Sequence, residues 1–387
     1  MKVLIIYPWI HHSRMIEELT HRLSEKGIIA DAICIKDYEL ICNSKNILLP
    51  FFCKIGRKLR ILSKKYKNER YSDIFEWHIV TLLFRMYDVV DFHAYYNHYY
   101  KMINACIKNN IRYDITLWGS DVLRSSGDIF PQMEYGYKSA NHIKGLPNLL
   151  ERVSIAYNGI YNDKFREVIF GNSNFTNIDS YPINEFKKEI NELIGNVKNK
   201  IIITIGYNGV PEQQHSLIID SIMQLSLELK EKIHIVVPMT YSANKNYIES
   251  INSYLSSIGV SYKILTTFLS PKQLALLRQV SDIVINAQTT DAFCGALQEF
   301  LYCNNIVMIA EWLNYPLYDR NDVFYIKFSR ENLTEKLEHI IENKSIYTIR
   351  AKNNRMKIYN IVSWNSVIPT WIKAYDLHLQ ANKIMSL

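Results

Sequence analysis

Residues 2–7, KVLIIY, form an unbroken apolar run, the pattern of a strand buried on both faces. The period then changes. In SRMIEELTHRLSEKG (13–27), Met15, Ile16, Leu19 and Leu23 share one helical face, Ser13 can cap the start and Gly27 ends the helix. IADAICI (29–35) reads as a second strand, so the chain opens with a β-α-β unit. YDVVDFH (87–93) and YDITLWGSD (113–121) predict further strands, with a helix over 96–109 between them. ERVSIAYNG (151–159) and FREVIFGNSNF (165–175) read as the end of a first domain, and the polar NEFKKEINELIGNVKNK (184–200) as a helix and linker.

The pattern restarts at IIITIGYNG (201–209), a strand running into a glycine-containing turn. Helix 214–229, strand 233–239, helix 244–258, strand 261–268, helix 271–280 and strands 282–287 and 306–310 follow. Strand alternating with helix predicts parallel sheet covered on both faces. Two such blocks predict an α/β chain of two Rossmann-like domains, with the site at the carboxyl ends of the strands in the cleft between the blocks.

The length, 387 residues, agrees with two cores rather than one. Hydrophobic residues make up 48% and charged residues 21%, and no disordered arm or short repeat is evident. Six cysteines, at 34, 42, 53, 106, 294 and 303, form no C-x-x-C pair and have no histidine cluster beside them. That argues against disulfide scaffolding and structural zinc, and for a reducing compartment. The apolar opening is too short for a secretory signal, and no stretch reaches the roughly 18–20 apolar residues of a membrane span. A cytoplasmic protein is expected.

The net charge of +7 is concentrated in one place. Residues 54–70, KIGRKLRILSKKYKNER, carry eight Lys/Arg against one Glu, a surplus of seven. Ile55, Leu59, Ile61 and Leu62 interleave the cations, the composition of a basic amphipathic surface helix. Arg57, Lys58, Lys64 and Lys65 are therefore candidates for docking to an anionic inner leaflet, the alternative being a solvated helix face. The aromatic-interleaved signatures of single-stranded nucleic-acid binding are absent, so no nucleic-acid partner is expected.

The segment TTDAFCGALQEFLYCNNIVM (289–308) carries the most chemistry. A helix starting near Phe293, Cys294 and Gly295 would offer amide groups to an anion, and glycine lets a phosphate approach the backbone. Asp291 stands at the rim, and Glu299 lies two turns in, where a carboxylate can accept two hydrogen bonds from a ribose diol. An arbitrary D-x7-E would instead be a helix cap and a solvated acid. Elsewhere, PWIHHSR (8–14) follows the first strand, so His11 is a candidate general base and His12 a candidate acceptor-side group; a solvated loop is the alternative. Asp121 is a rival base or a helix cap. His93 ends a strand and could line an acceptor groove, and Tyr95, Tyr96, Tyr99 and Tyr100 near it could stack on sugars or pack as core.

DAFCGALQEFLYCNNIVM is similar to the E-x7-E segment of retaining glycosyltransferases of family 4, with Asp291 for the first Glu and CNN where Gly and Pro are common. GYNGVPEQQH (206–215), VVPMTYSANKNYIESI (236–251) and LALLRQVSDI (274–283) resemble the 4-acetamido-4,6-dideoxygalactose transferases of enterobacterial common antigen, family 56. WGSDVLR (118–124) resembles the H-G-S-D stretch of bacterial polysaccharide glycosyltransferases, and IVSWNSV (361–367) their closing helix. The resemblance covers most of the second block and little of the first. It implies the GT-B fold, two Rossmann-like domains facing each other across a cleft, with a C-terminal helix crossing back to the first. On this reading residues 1–180 bind the acceptor, 198–360 the nucleotide-sugar, and 361–387 form the crossover.

The implied activity is transfer of a sugar from a nucleotide-sugar to a saccharide acceptor, lipid-linked, at the inner face of the cytoplasmic membrane, in O-antigen- or capsule-type biosynthesis. No metal or other cofactor is implied. The family 4 Arg and Lys that neutralise the diphosphate are missing; Tyr207, Asn208 and Gly209 occupy that turn, leaving backbone amides, Asn208, Lys245 or Arg278 for the task. Because family 4 retains and family 56 inverts, the stereochemical course stays open. A sugar-nucleotide epimerase of the same architecture and a catalytically decayed membrane scaffold are the alternatives.

Overall fold

The computed structural model describes residues 1–8, 13–35, 39–40, 48–66, 79–96, 99–124, 129–195 and 197–385. Its contacts divide the chain into two units, Met1–Gly171 with Trp364–Leu387, and Asn172–Ser363.

The first unit is built on a seven-stranded sheet. Its strands are β1 (Lys2–Tyr7), β2 (Ile29–Cys34), β3 (Glu39–Leu40), β4 (Val89–His93), β5 (Tyr113–Thr116), β6 (Ile143–Gly145) and β7 (Phe165–Glu167), in spatial order β3-β2-β1-β4-β5-β6-β7. All pairs are parallel except the two-residue β3 against β2. The apolar run of β1 is central, Val3 facing Ala30 on one side and Val89 on the other, which is why it carries no polar alternation. Helix Ser13–Glu25 follows β1, burying Ile16, Leu19 and Leu23, and Gly27 (φ +79°) supplies the left-handed turn after it.

The same core receives the end of the chain. Helix Trp364–Met385 places Trp364, Val367, Ile368, Trp371, Ala374 and Tyr375 against Val3, Ile5, Ile16, Leu19 and Leu23. The Trp371 indole donates to the Ile169 carbonyl at 2.8 Å. A side chain at Gly171 would meet the Trp364 ring at 2.3 Å, so only glycine fits there. Each large apolar side chain buried in this way contributes roughly 1.5–3 kcal/mol, enough for the five of them to hold the crossover helix in place.

The second unit has strands β8 (Ile201–Ile205), β9 (Ile233–Pro238), β10 (Ser261–Leu265), β11 (Ile283–Asn286), β12 (Ile306–Ala310) and β13 (Ile326–Phe328), all parallel, in order β10-β9-β8-β11-β12-β13. This is the doubly wound order, and it reverses between β8 and β11, the switch point at which sheets of this order form their ligand crevice. Ile203 pairs with both Ile235 and Ile283, placing β8 at the centre.

Three departures from the sequence reading have local causes. The helix expected over 214–229 is two, His215–Met223 and Leu227–Lys232, because Ser226 caps the second by accepting from Leu229 N at 3.3 Å. The strand expected over 113–121 stops at Thr116, since Gly119 (φ +119°) turns the chain into a short helix, Ser120–Leu123. Residues 151–159 fall on helix Pro147–Ala156 and the turn after it. Among the described residues, no helix is long and apolar enough to cross a membrane.

Candidate active site

The crevice of the second unit is lined by the loops after β8 and β11. Gly206 (φ +65°) turns the chain out of β8, and a Cβ there would lie 2.8 Å from His215 Nε2. Asn208 folds its side chain onto its own loop, Oδ1 accepting from Val210 N at 3.1 Å. Gly209 N donates to the Tyr241 carbonyl at 3.1 Å, and a Cβ at Gly209 would collide with Ala243 at 2.1 Å. The loops after β8 and β9 thus touch backbone to backbone, which only glycine at 209 permits. His215 opens the following helix fully buried, with Nδ1 3.0 Å from the Tyr247 hydroxyl. Burial pushes its pKa down to about 4, so it is neutral at physiological pH.

Opposite, the loop after β11 is held by a polar relay. Gln288 Oε1 accepts from the Tyr207 hydroxyl and, at 2.9 Å, from Gln213 Nε2, while Gln213 Oε1 accepts from Tyr207 N at 3.1 Å. The Trp312 indole donates to the Gln288 carbonyl at 2.8 Å. Asp291 accepts from Cys294 N at 3.0 Å and from the Tyr315 hydroxyl. Burial and the Asp291 carboxylate both raise the Tyr315 pKa well above its usual value, so Tyr315 stays protonated and donates. Helix Gly295–Tyr302 starts here. A Cβ at Gly295 would meet nothing nearer than the Asn172 side-chain amide at 3.8 Å, so space remains at the positive end of the helix. Phe293 packs on Tyr318, ring centroids 5.0 Å apart, and burial together with Asp291 raises the Cys294 thiol far above the range in which it would ionise.

Glu299 is not solvated. It is 4% exposed, and its two oxygens accept from Asn174 Nδ2 at 2.6 Å and Arg278 Nε at 2.9 Å. The Arg278 guanidinium lies over the Phe300 ring at 4.2 Å. Arg278, taken from sequence as a diphosphate candidate, is here the buried counter-ion of Glu299. Lys245 begins helix Lys245–Ser257, exposed, with its ammonium 3.7 Å from Glu249.

In the first unit, two expected site residues lie inside the protein. His93 is fully buried, so it does not line an open groove. Its ring stacks on Trp371, Nδ1 accepts from the Trp118 indole at 3.1 Å, and Nε2 is 3.2 Å from Asp91 Oδ2. Asp91 also accepts from Thr116, Lys144 and Tyr375, and Lys144 Nζ reaches Asp114 at 3.0 Å. Burial would raise the Asp91 pKa, but Lys144 and His93 outweigh it and hold the carboxyl far below its usual range. Asp121 is likewise fully buried and clamps two loops, accepting from Tyr95 N (2.9 Å), Trp118 N (3.0 Å) and Gly119 N (2.8 Å). Burial lifts its pKa to about 6 against those three donors. Of the tyrosines near it, Tyr95 and Tyr99 are core, and Tyr100 is exposed. His11 and His12 lie outside the described residues.

The structure therefore gathers Asn208, Gly209, Asp291, Phe293, Cys294 and Gly295 on the loops flanking one crevice, with Glu299 and Arg278 paired on the helices behind it. The sequence reading did not single out Gln213, Gln288, Tyr315 or Asn174. Each is an uncharged polar residue in a loop or at the end of a short helix, and only Asn172 and Asn174 in GNSNF form a visible cluster.

No family model and no curated protein matches this chain. Solved structures do. A glycosyltransferase from Rickettsia africae is 14% identical and superposes with a TM-score of 0.73 over 98% of each chain. HepE of Anabaena, in complex with UDP and glucose, is 12% identical, with a TM-score of 0.62 over 100% of both chains. The UDP-GlcNAc 2-epimerase of Neisseria meningitidis, bound to UDP-GlcNAc, is 14% identical, with a TM-score of 0.60 over 97% of this chain and 99% of that one. Likeness at this identity establishes the fold, which is of GT-B type: two Rossmann-like units with the last helix returned to the first.

Proposed function

We propose that the protein is a glycosyltransferase that moves a sugar from a nucleotide-sugar to a saccharide acceptor. The observation that carries the reading is the crevice between β8 and β11, where a helix start with room at Gly295 faces a glycine turn at 206–209. Two structures of like fold support it, HepE solved with UDP-glucose and the R. africae glycosyltransferase. On this reading the diphosphate lies against Gly209 and the start of helix Gly295–Tyr302, where amides and the helix dipole stabilise the charge on the leaving group. Asn208 and Lys245 supply the remaining donors. Asp291 faces the transferred sugar, its carboxylate oriented by Tyr315. Glu299, oriented by Arg278 and Asn174, holds the ribose. No bound metal is required. The first unit takes the acceptor, a lipid-linked saccharide in surface-polysaccharide assembly, and His11 and His12 are its candidate proton-transfer groups; Asp121, buried and bonded to three backbone amides, holds two loops of that unit instead.

Helix Leu48–Tyr66 would bring the enzyme to the inner leaflet of the cytoplasmic membrane. Arg57, Lys58 and Lys65 are exposed on it, alongside Phe51 and Ile61; Lys64 belongs to the same helix.

The test is a thermal-shift series with UDP, GDP, dTDP and CMP, followed by calorimetry, since a ligand that binds the folded state raises its melting temperature. One nucleotide should shift melting clearly; no shift with any would refute nucleotide binding. An epimerase is the second reading, favoured by the likeness to the N. meningitidis enzyme. Conversion of a UDP-sugar to its epimer in the absence of acceptor would decide for it.

A further inference from the structure

Helices Lys344–Ala351 and Asn354–Val362 close the second unit, and the first of them buries one residue, Ala351. Its outward positions include Ile346 and Ile349, 56% and 71% exposed, and the next helix presents Met356, 63% exposed. Ile346 and Ile349 are three apart and share a helical face. The same stretch, 343–363, contains Lys344, Arg350, Lys352, Arg355 and Lys357 and no Asp or Glu. Two of these cations are neutralised, Lys344 by Asp282 at 2.5 Å and Arg355 by Asp179. The other three have no carboxylate partner among the described residues. Arg350 lies over the Phe324 ring at 4.2 Å, Lys357 reaches only the Asp322 carbonyl, and Lys352 projects into solvent. Three unneutralised cations are thus interleaved with three aliphatic side chains left in water.

We infer that this face of the second unit docks on an anionic bilayer, with Ile346, Ile349 and Met356 entering the acyl boundary and Arg350, Lys352 and Lys357 meeting lipid phosphates. An anionic bilayer uses both halves of the pattern. A nucleic acid would satisfy the cations and leave the aliphatic groups in water. A second copy would bury the aliphatic groups, but a two-fold contact sets the patch against itself and brings like charges together. Lys and Arg stems can lie along the apolar surface while their heads reach the headgroups, as interfacial helices require. The surface is separate from helix Leu48–Tyr66 and does not depend on the glycosyl-transfer assignment.

The experiment uses the full chain and vesicles of phosphatidylcholine alone or mixed with phosphatidylglycerol. The variants are Ile346→Gln/Ile349→Gln/Met356→Gln and Arg350→Gln/Lys352→Gln, each in the wild type and in an Arg57→Gln/Lys58→Gln/Lys64→Gln/Lys65→Gln background. Hydrogen exchange of 344–362 is followed on the unaltered protein. Exchange should slow on the anionic vesicles and not on phosphatidylcholine. In the quadruple background, residual binding should resist salt, and the apolar triple should lower the partition coefficient by about tenfold or more, three inserted side chains each adding to it. The inference is overturned by unchanged exchange over 344–362 on anionic vesicles, by equal partitioning of the apolar triple and its parent, or by concentration-dependent dimerisation that the triple abolishes while vesicle binding persists. Loss of binding in the quadruple alone, with the triple neutral, would keep the first docking helix and remove this one.

Discussion

Glu299→Gln is expected to damage stability before it touches function. The carboxylate uses separate oxygens for its two donors, Asn174 Nδ2 and Arg278 Nε. Glutamine has a single oxygen, so whichever donor it keeps, its NH2 group faces the other. Both Glu299 and Arg278 have side chains 5% exposed, so water does not replace the lost acceptor. Breaking a buried pair from one side costs about 3–5 kcal/mol; because glutamine preserves one of the two bonds, the lower end applies. For the 192 residues of Asn172–Ser363, about 2–4 °C is lost per kcal/mol, which gives a fall of roughly 6–12 °C in Tm. Removing both charges, as in Arg278→Met/Glu299→Leu, should recover most of it, since apolar replacement of a buried pair is often neutral. The recovered double variant isolates the ribose role. If Glu299 holds the ribose, calorimetry with the cognate nucleotide should show a loss of about 1.5–3 kcal/mol, or roughly ten- to 150-fold in Kd. A single variant that melts like wild type refutes the pairing argument. A double variant that binds nucleotide like wild type removes Glu299 from the site.

Asp291→Asn should lower turnover of intact donor while leaving free nucleotide diphosphate binding nearly unchanged, because its contact is with the sugar; equal losses in both would place it in nucleotide binding. Gly209→Ala should destabilise the second unit and weaken nucleotide binding together, the added methyl meeting Ala243 at 2.1 Å; wild-type melting and affinity would refute the close approach. Asp121, with a folded pKa raised from 3.8 to about 6, stabilises the folded state fully below about pH 4 and loses that contribution as pH rises through 6. The loss is roughly 3 kcal/mol at 1.36 kcal/mol per pKa unit; urea midpoints should fall between pH 4 and 6.5 in wild type more than in Asp121→Asn, and parallel curves would refute it. Changing Arg57, Lys58, Lys64 and Lys65 to Gln should weaken binding to anionic vesicles at low salt, at about 1 kcal/mol per charge, leaving only a salt-resistant remainder; co-sedimentation of this variant equal to wild type at low salt would leave that helix a solvated face.

Much of the architecture was legible because its central strands are buried on both faces. β1, β8, β9 and β12 are short apolar runs that no other element imitates when helices with caps alternate between them. β6, β7 and β13 were not legible, since three residues carry no period and are strands only because a neighbour pairs with them. The candidate crevice was legible as far as its glycines and Asp291. What surrounds them was not. The Arg278–Glu299 pair joins residues 21 apart on different helices, and each acid or base, read alone, looked available to a ligand. His93 misled for a related reason: a histidine at a strand end reads as open to solvent until Trp371, from the far end of the chain, is laid over it.

That last contact also sets an order of events during synthesis. The second unit is one continuous stretch, whereas the first is split around it and lacks Trp371 and Tyr375 until the ribosome has made another 192 residues, Asn172–Ser363. At roughly 5–20 residues per second, that is about 10–40 s in which Asp91 and Lys144 lack the tyrosine that completes their surroundings and the apolar face of β1 lacks its cover. The second unit can close first, and the first, although it begins the chain, must finish last. A nascent chain stalled before Trp364 would carry one finished half and one sticky, incompletely packed one, a natural target for chaperones and for quality-control proteases.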